Sequence, residues 1–399
     1  MKKTIKKWLS AIYIAMWLGG PGIAHATPYT VSVPRPAVPP NVISTPNKPM
    51  MMLATSKDHS LWGPVYNDFE DLEGNGSIET TFNPTFKYYG YFDSTKCYVY
   101  DASAGNFTPN SLATFTTNGR YTCSQASAEW SGNFLNWATM TRLDVVRKML
   151  YGGKRSTDTA TLVKSGGQIT NVTGSKTVLE RALVSKDSHS FVKFYAGTDI
   201  ADYTPFTVAN LTKNTGANKN VYAGLSICSR SNNSSNTDIL TNGGTFPIMR
   251  MAKGNYRLWA TTASRVCRWS SESGPGFSAK AAQYYKDADK GNGGISHETA
   301  APNVTTDGAS YGTIGPDLTV RVEVCKASLL GEEKCQAYPP ALKVNYKPYG
   351  IFQEFGLQSD SASAARVEFG VLTGSYDENL KAGALRKNMG DFADEVNPD

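Results

Sequence analysis

The sequence is poor in the residues that carry common enzyme chemistry. It has four histidines, no C-x-x-C pair, no Walker loop, no Rossmann glycine fingerprint and no H-E-x-x-H. Phosphate cradles, dinucleotide sites and zinc-protease centres therefore have no motif to rest on. Charge of one sign is also scarce. The formal net charge is +6, and four lysines (Lys2, Lys3, Lys6 and Lys7) stand in an acid-free stretch of 26 residues at the start. Without them the balance is +6 − 4 = +2. So weak a bias, with no basic patch interleaved with aromatics, argues against nucleic-acid binding. Beyond that leader no apolar run approaches the roughly 20 residues of a membrane helix. What is abundant is hydrophobic residues at 40% and aromatics at 11%, which exclude a wholly disordered chain. With 36 Gly and 20 Pro, much of the chain is expected to be loop.

Residues 1–26 read as a secretory signal. Four lysines form the positive region, Trp8 to Leu18 the apolar region, and Ala24-His25-Ala26 an A-x-A cleavage site. Thr27 to Pro49 carries seven prolines and is expected to be an extended segment. Six cysteines follow: Cys97, Cys123, Cys228, Cys267, Cys325 and Cys335. An even number in an exported chain suggests disulfides, and six allow 15 pairings. Proximity in sequence favours Cys97–Cys123, Cys325–Cys335 and Cys228–Cys267. Paired cysteines are unavailable as zinc ligands or nucleophiles.

Met50 to Ala54 predicts a short buried strand. Asn133 to Leu150 predicts a helix, with Leu135, Ala138, Leu143, Val146, Met149 and Leu150 near one face and Gly152-Gly153 as its stop. Ser175 is a candidate cap for a short helix, Lys176 to Leu183. Strands are expected at Phe191–Tyr195, Tyr256–Thr262, Leu318–Cys325 and Val367–Thr373. The polar tracts Asn214–Gly244 and Asp287–Gly312 read as insertion loops or exposed hairpins. An early strand, a following helix and a late strand suggest an α/β core with β-rich insertions.

Two stretches could hold chemistry. In Asp71-Leu72-Glu73-Gly74-Asn75-Gly76-Ser77-Ile78-Glu79, oxygen-bearing side chains recur at Asp71, Glu73, Asn75, Ser77 and Glu79 around a glycine turn. That spacing suits calcium, which takes several oxygens on a tight loop. Asp68 and Glu70 add nearby carboxylates. Phe82, however, stands where the usual bidentate Glu would be, and the alternative is a plain acidic hairpin turn. The second stretch is Ala54-Thr55-Ser56-Lys57-Asp58-His59, beyond the first strand, where α/β sheets place their sites. Ser56, Asp58 and His59 could suggest a hydrolase triad. There is no G-x-S-x-G elbow, and residues so close in sequence rarely meet with that geometry. A binding or structural role is therefore the expectation, not an enzyme.

Several blocks resemble the PilY/PilC family of type IV pilus tip-associated adhesins and biogenesis factors. They are Asn47–Leu53, Tyr88–Asp93, Trp130-Ser131-Gly132-Asn133-Phe134-Leu135-Asn136-Trp137-Ala138-Thr139-Met140, Lys347–Gln353, Phe369–Tyr376 and Leu385-Arg386-Lys387-Asn388-Met389-Gly390. The resemblance implies a von Willebrand factor A-like core over 50–391, with about 200–320 inserted, and a linker over 392–399 to a C-terminal propeller outside this sequence. It implies a metal position at Ser56, with Asp58 as a substitute carboxylate. Ala54 replaces the family's first acid there, and Lys57 lies inside the motif. It further implies an exported protein of the periplasm, outer membrane and pilus tip. Pilus biogenesis, retraction control and surface adhesion follow, with minor pilins, the tip complex and a host or abiotic surface as partners. A stand-alone calcium-dependent glycan-binding module is the alternative.

Overall fold

The computed structural model describes residues 48–55, 59–184, 190–214, 220–231, 246–260, 267–271, 301–339, 342–356, 366–374 and 383–392. The expected leader, most of the Pro-rich segment, Ser56, Asp58 and the linker beyond residue 392 lie outside them.

In chain order the strands are β1 Met50–Thr55, β2 Lys96–Asp101, β3 Asn106–Leu112, β4 Thr114–Phe115, β5 Tyr121–Thr122, β6 Trp130–Ser131, β7 Arg155–Ser165 and β8 Gln168–Glu180. They continue with β9 Phe191–Tyr195, β10 Thr212–Asn214, β11 Asn220–Tyr222, β12 Leu225–Ser231, β13 Pro247–Lys253 and β14 Asp317–Thr319. Last come β15 Arg321–Val324, β16 Cys335–Ala337, β17 Tyr346–Pro348, β18 Glu368–Gly374 and β19 Gly383–Gly390. The helices are α1 Gly132–Thr139, α2 Arg142–Tyr151, α3 Val304–Asp307 and α4 Ile351–Gly356.

A six-stranded sheet has the order β6-β2-β3-β15-β8-β7, and a four-stranded sheet the order β14-β13-β12-β9. A third sheet, β1-β18-β19, pairs β1 parallel to β18. Elsewhere among the described strands, parallel pairing occurs only where β15 meets β3 at Val322 and Phe107. The α/β mixture is as expected. The remaining strand pairings described are antiparallel. The connections explain it: β7 and β8 join through Gly166-Gly167, and so tight a turn can only yield antiparallel neighbours.

The expected helix Asn133–Leu150 is two helices. Met140 is extended (φ −77°, ψ 138°), and Thr141 and Asp144 form a capping box that starts a new helix. α2 stops at Gly152, φ 85°, as anticipated. The expected helix Lys176–Leu183 is instead the end of β8 as far as Glu180 and irregular chain after it, because Thr177 and Val178 are β-branched and pair with β7. Phe191–Tyr195 is a strand as expected, and Val367–Thr373 is one within a residue. Tyr256–Ala260 forms turns, with Tyr256 N–H bonded to Ser226 Oγ at 2.8 Å and Trp259 N–H to the Tyr256 carbonyl. Leu318–Cys325 is split at Val320 between two sheets. Val320 donates to the Pro247 carbonyl and accepts from Arg181 N–H. Within Asn214–Gly244, read as polar loop, β12 is buried at every residue. Its serines point into the core because their hydroxyls find carbonyls, Ser226 that of Gly254 and Ser231 that of Val184.

Met50–Ala54 is a strand, but Met50 is 68% exposed and Met51 and Met52 43% each, so it is not the buried strand expected. The main core lies between the two larger sheets. Phe82 there stacks near Tyr88, Phe134, Trp137, Tyr195 and Tyr203 at ring separations of 5.0–5.7 Å. A second cluster, Tyr256, Trp259 and Trp269, packs around Cys228–Cys267. All three disulfides have the expected pairing, with Cα separations of 5.7, 6.3 and 5.7 Å.

Arg181 ties the sheets together. It follows β8 and is fully buried. Its Nη2 donates to the carbonyls of Arg230 at 2.6 Å and Ile248 at 3.2 Å, on β12 and β13. Asp144, also fully buried, faces it from α2 and accepts the Ala182 N–H at 2.8 Å.

Candidate functional site

The five residues predicted for calcium do share one loop. A bridge between Glu70 and Glu79 closes it. The Asp71 carboxylate accepts N–H groups of Asn75 at 3.0 Å and Gly76 at 2.7 Å. Asn75 Oδ1 accepts from Ser77 N–H, and Asn75 Nδ2 donates to Glu73. Glu79 accepts from Leu72 N–H at 2.7 Å, and Glu73 from the Thr85 hydroxyl at 2.7 Å. Short acidic side chains here fold the turn by accepting its amides. Among the described residues, the one group of three His, Cys, Asp or Glu donors within 4.8 Å is Cys325, Glu333 and Cys335. Its two sulfurs are joined as a disulfide and are not thiolate ligands. Ser56 and Asp58 lie outside the described residues, and His59 opens a 3-10 turn, His59–Trp62.

Asp68 proves to be a structural counterion. It accepts from Trp137 Nε1 at 2.7 Å and from Lys193 Nζ at 2.9 Å, and the Lys193 side chain is 2% exposed. Burial pulls the Lys193 amine below its ordinary range, and Asp68 opposes that. Lys193 is a lone lysine inside an apolar strand, which was the available sequence signal for a buried partner.

The family-resembling blocks also have structural work. Asn136 on α1 donates to the carbonyls of Tyr88 and Phe92 at 2.9 Å each and accepts the Phe92 N–H. Asn133 accepts the Tyr88 N–H and donates to the Phe86 carbonyl. The two amides thus hold Tyr88–Asp93 against α1. Gly132 permits the approach, since a Cβ there would sit 2.1 Å from the Asp93 carbonyl oxygen.

Below that segment lies a group of charges that sequence reading missed. Lys96, fully buried, reaches Glu333 at 2.8 Å and Asp93 at 3.8 Å. Glu333 Oε2 also accepts the Cys325 N–H at 2.7 Å. Burial pushes the Glu333 carboxyl up, against the pull of Lys96. Burial brings the nearby Lys148 amine down to about 8, with Glu333 and Asp93 opposing. These residues come from β2, α2 and the loop after β15, so no local spacing announces them.

Fold, disulfides and blocks together define a disulfide-bonded α/β module of the PilY1 type. Residues 79–252 match the family model described as "PilY1 homolog, small alpha/beta domain", and 369–399 that described as "PilY1 homolog, second domain". Two curated relatives from Xylella fastidiosa (strain Temecula1 / ATCC 700964) carry the name "Type IV pilus biogenesis factor PilY1 homolog". One is 31% identical over 354 residues, covering 87% of this chain and 19% of the relative. The other is 32% identical over 123 residues, covering 30% and 9%. No solved structure matches. The chain belongs to the PilY1-like family of type IV pilus proteins and spans 19% of the length of the first of these relatives.

Proposed function

We propose that this chain acts in type IV pilus biogenesis as an exported, non-enzymatic module at the pilus tip. The observation carrying this is the 31% identity across 87% of the chain to a relative named as a pilus biogenesis factor. Its work would be contact with minor pilins and with a host or abiotic surface, extending to retraction control and adhesion. Three disulfides suit an oxidising, exported setting. The hairpin β7–β8 supplies a contact element, since residues from Asp158 to Gly174 are almost all exposed. A two-stranded ribbon is marginal alone, and a docked partner would steady it. The parallel pair β1/β18, with α4 packed beside it through Phe352 and Phe369, is the candidate start of a von Willebrand A-like core.

The test is a deletion strain complemented with wild type or with a chain lacking hairpin residues 161–173. Surface pili, twitching and attachment are expected to fail in the deletion. The shortened hairpin should lose co-purification with minor pilins while staying folded. Full piliation and twitching without the protein would overturn the proposal.

A calcium-dependent binding module is the second reading. It is favoured by Asp71, which already wraps the loop by accepting two amides. The other acids are committed to Leu72 and Thr85, which weighs against it. Calorimetry decides: a calcium heat lost in Asp71→Ala, Glu73→Ala supports this reading, and no heat removes it.

A further inference from the structure

A cavity of about 160 Å³ opens between α2, the Cys325–Cys335 loop and the start of α4. Its walls include Tyr89, Tyr349, Leu179 and Ile351, and its polar groups include Lys148 and Glu333. Tyr89 is 44% exposed, and Lys148 Nζ lies 4.4 Å from its ring centroid. Tyr349 is likewise covered on one side by Lys334, 4.8 Å from its centroid. The Glu333 side chain is 5% exposed. Its Oε2 serves Lys96 and the Cys325 N–H, whereas its Oε1 is buried without a hydrogen-bond partner. A buried carboxylate oxygen left unpaired is costly, and a donor from outside the chain would satisfy it. Lys148 offers the complement. One of its three donors goes to the Gly90 carbonyl, and among the described residues no carboxylate lies within 4.0 Å of it.

We propose that this cavity is a binding site for a neutral, polyhydroxylated six-membered ring, a single sugar unit. One hydroxyl would donate to Glu333 Oε1 and another would accept from Lys148 Nζ, while the ring face lies against Tyr89. The charges facing the cavity select for neutrality. Of the charged residues in its walls, Lys334 is paired with Glu354, Glu333 is paired with Lys96, and Lys148 stands opposite Glu333, so the lining carries no unopposed charge to repay the desolvation of an added ion. A cavity of roughly 150 Å³ accommodates a benzene-sized ring, so the sugar's ring would enter here while its outer hydroxyls remain at the open mouth. The site stands independently of the pilus role, because no feature of it derives from the relatives.

Saturation-transfer NMR on the purified protein tests this, using D-glucose, D-galactose and N-acetyl-D-glucosamine at millimolar concentration, with D-glucuronate and D-glucosamine as charged controls. At least one neutral sugar is expected to bind. Tyr89→Leu, which changes a half-exposed ring and should leave the fold intact, is expected to weaken binding roughly tenfold. Glu333→Gln, with the fold checked by circular dichroism, places an amide donor or a rearranged carbonyl at the cavity and should weaken it further. Silence from every neutral sugar overturns the proposal and leaves water as the partner of Glu333. Binding unchanged in Tyr89→Leu, or binding of the charged sugars alone, overturns it equally.

Discussion

Removing the Asp144 carboxylate should cost this protein a large part of its stability, and the structure says how much. In Asp144→Ala the capping box of α2 is lost, worth about 1 kcal/mol. The buried Ala182 N–H loses its acceptor, at about 1–3 kcal/mol. Arg181 is left as a buried cation with Asp144 no longer opposing it. Breaking a tight buried pair costs about 3–5 kcal/mol. No oxygen of Asp144 lies within 4.0 Å of Arg181 in a direct pair, so the lower part of that range applies. The sum is about 5–7 kcal/mol against a typical total of about 5–15 kcal/mol. Arg181→Met alone should be milder, because the loss of the unpartnered Nε and Nη1 donors offsets the lost bonds of Nη2, and Asp144, whose carboxyl burial already pushes up, can take a proton once Arg181 no longer opposes that. In the double variant, Arg181→Met should recover about 2 kcal/mol of the Asp144→Ala loss. Urea unfolding followed by the fluorescence of buried Trp130 and Trp137 reads all four corners of the cycle. Additivity within about 0.5 kcal/mol would show that Asp144 and Arg181 are not coupled and would refute the electrostatic account of how the sheets are joined.

Three further outcomes are expected. Lys148, brought down to about 8, contributes stability above the ordinary lysine pKa and loses it as pH falls through about 8. Lys148→Met should therefore gain about 1–2 kcal/mol on wild type between about pH 9.5 and about pH 7, allowing for its partial solvent contact; parallel urea midpoints would contradict this. Asn136→Leu strands the Phe92 N–H and two carbonyls and should cost about 3 kcal/mol, with a lowered melting temperature as the readout. Among the disulfides, loop entropy ranks the 39-residue Cys228–Cys267 loop first, at about 4 kcal/mol, and the 10-residue Cys325–Cys335 loop last, at about 3 kcal/mol. Paired Cys→Ser variants compared by urea midpoint should follow that order, and pulling experiments should show a reduced unfolding force.

Local chemistry was legible wherever it was self-contained. The cysteine pairing followed from proximity, Phe191–Tyr195 from its apolar, β-favouring run, and the end of α2 from Gly152. The Asp71–Glu79 loop was rightly seen as one turn because its acids bond amides a few residues away. The blocks around Trp130 and Leu385 carried the family. Tertiary structure decided the rest, since the deciding partners are distant in sequence. Whether Lys176–Leu183 became helix or strand depended on β7 lying alongside, and the break at Val320 on Pro247 and Arg181. Asp68 serves Lys193, which is 125 positions away, and Lys96 on β2 serves Glu333 on the loop after β15, two strands across the same sheet. A buried charge is tolerated only where the fold brings its counterion, and one strand's pattern does not record which other strand will supply it.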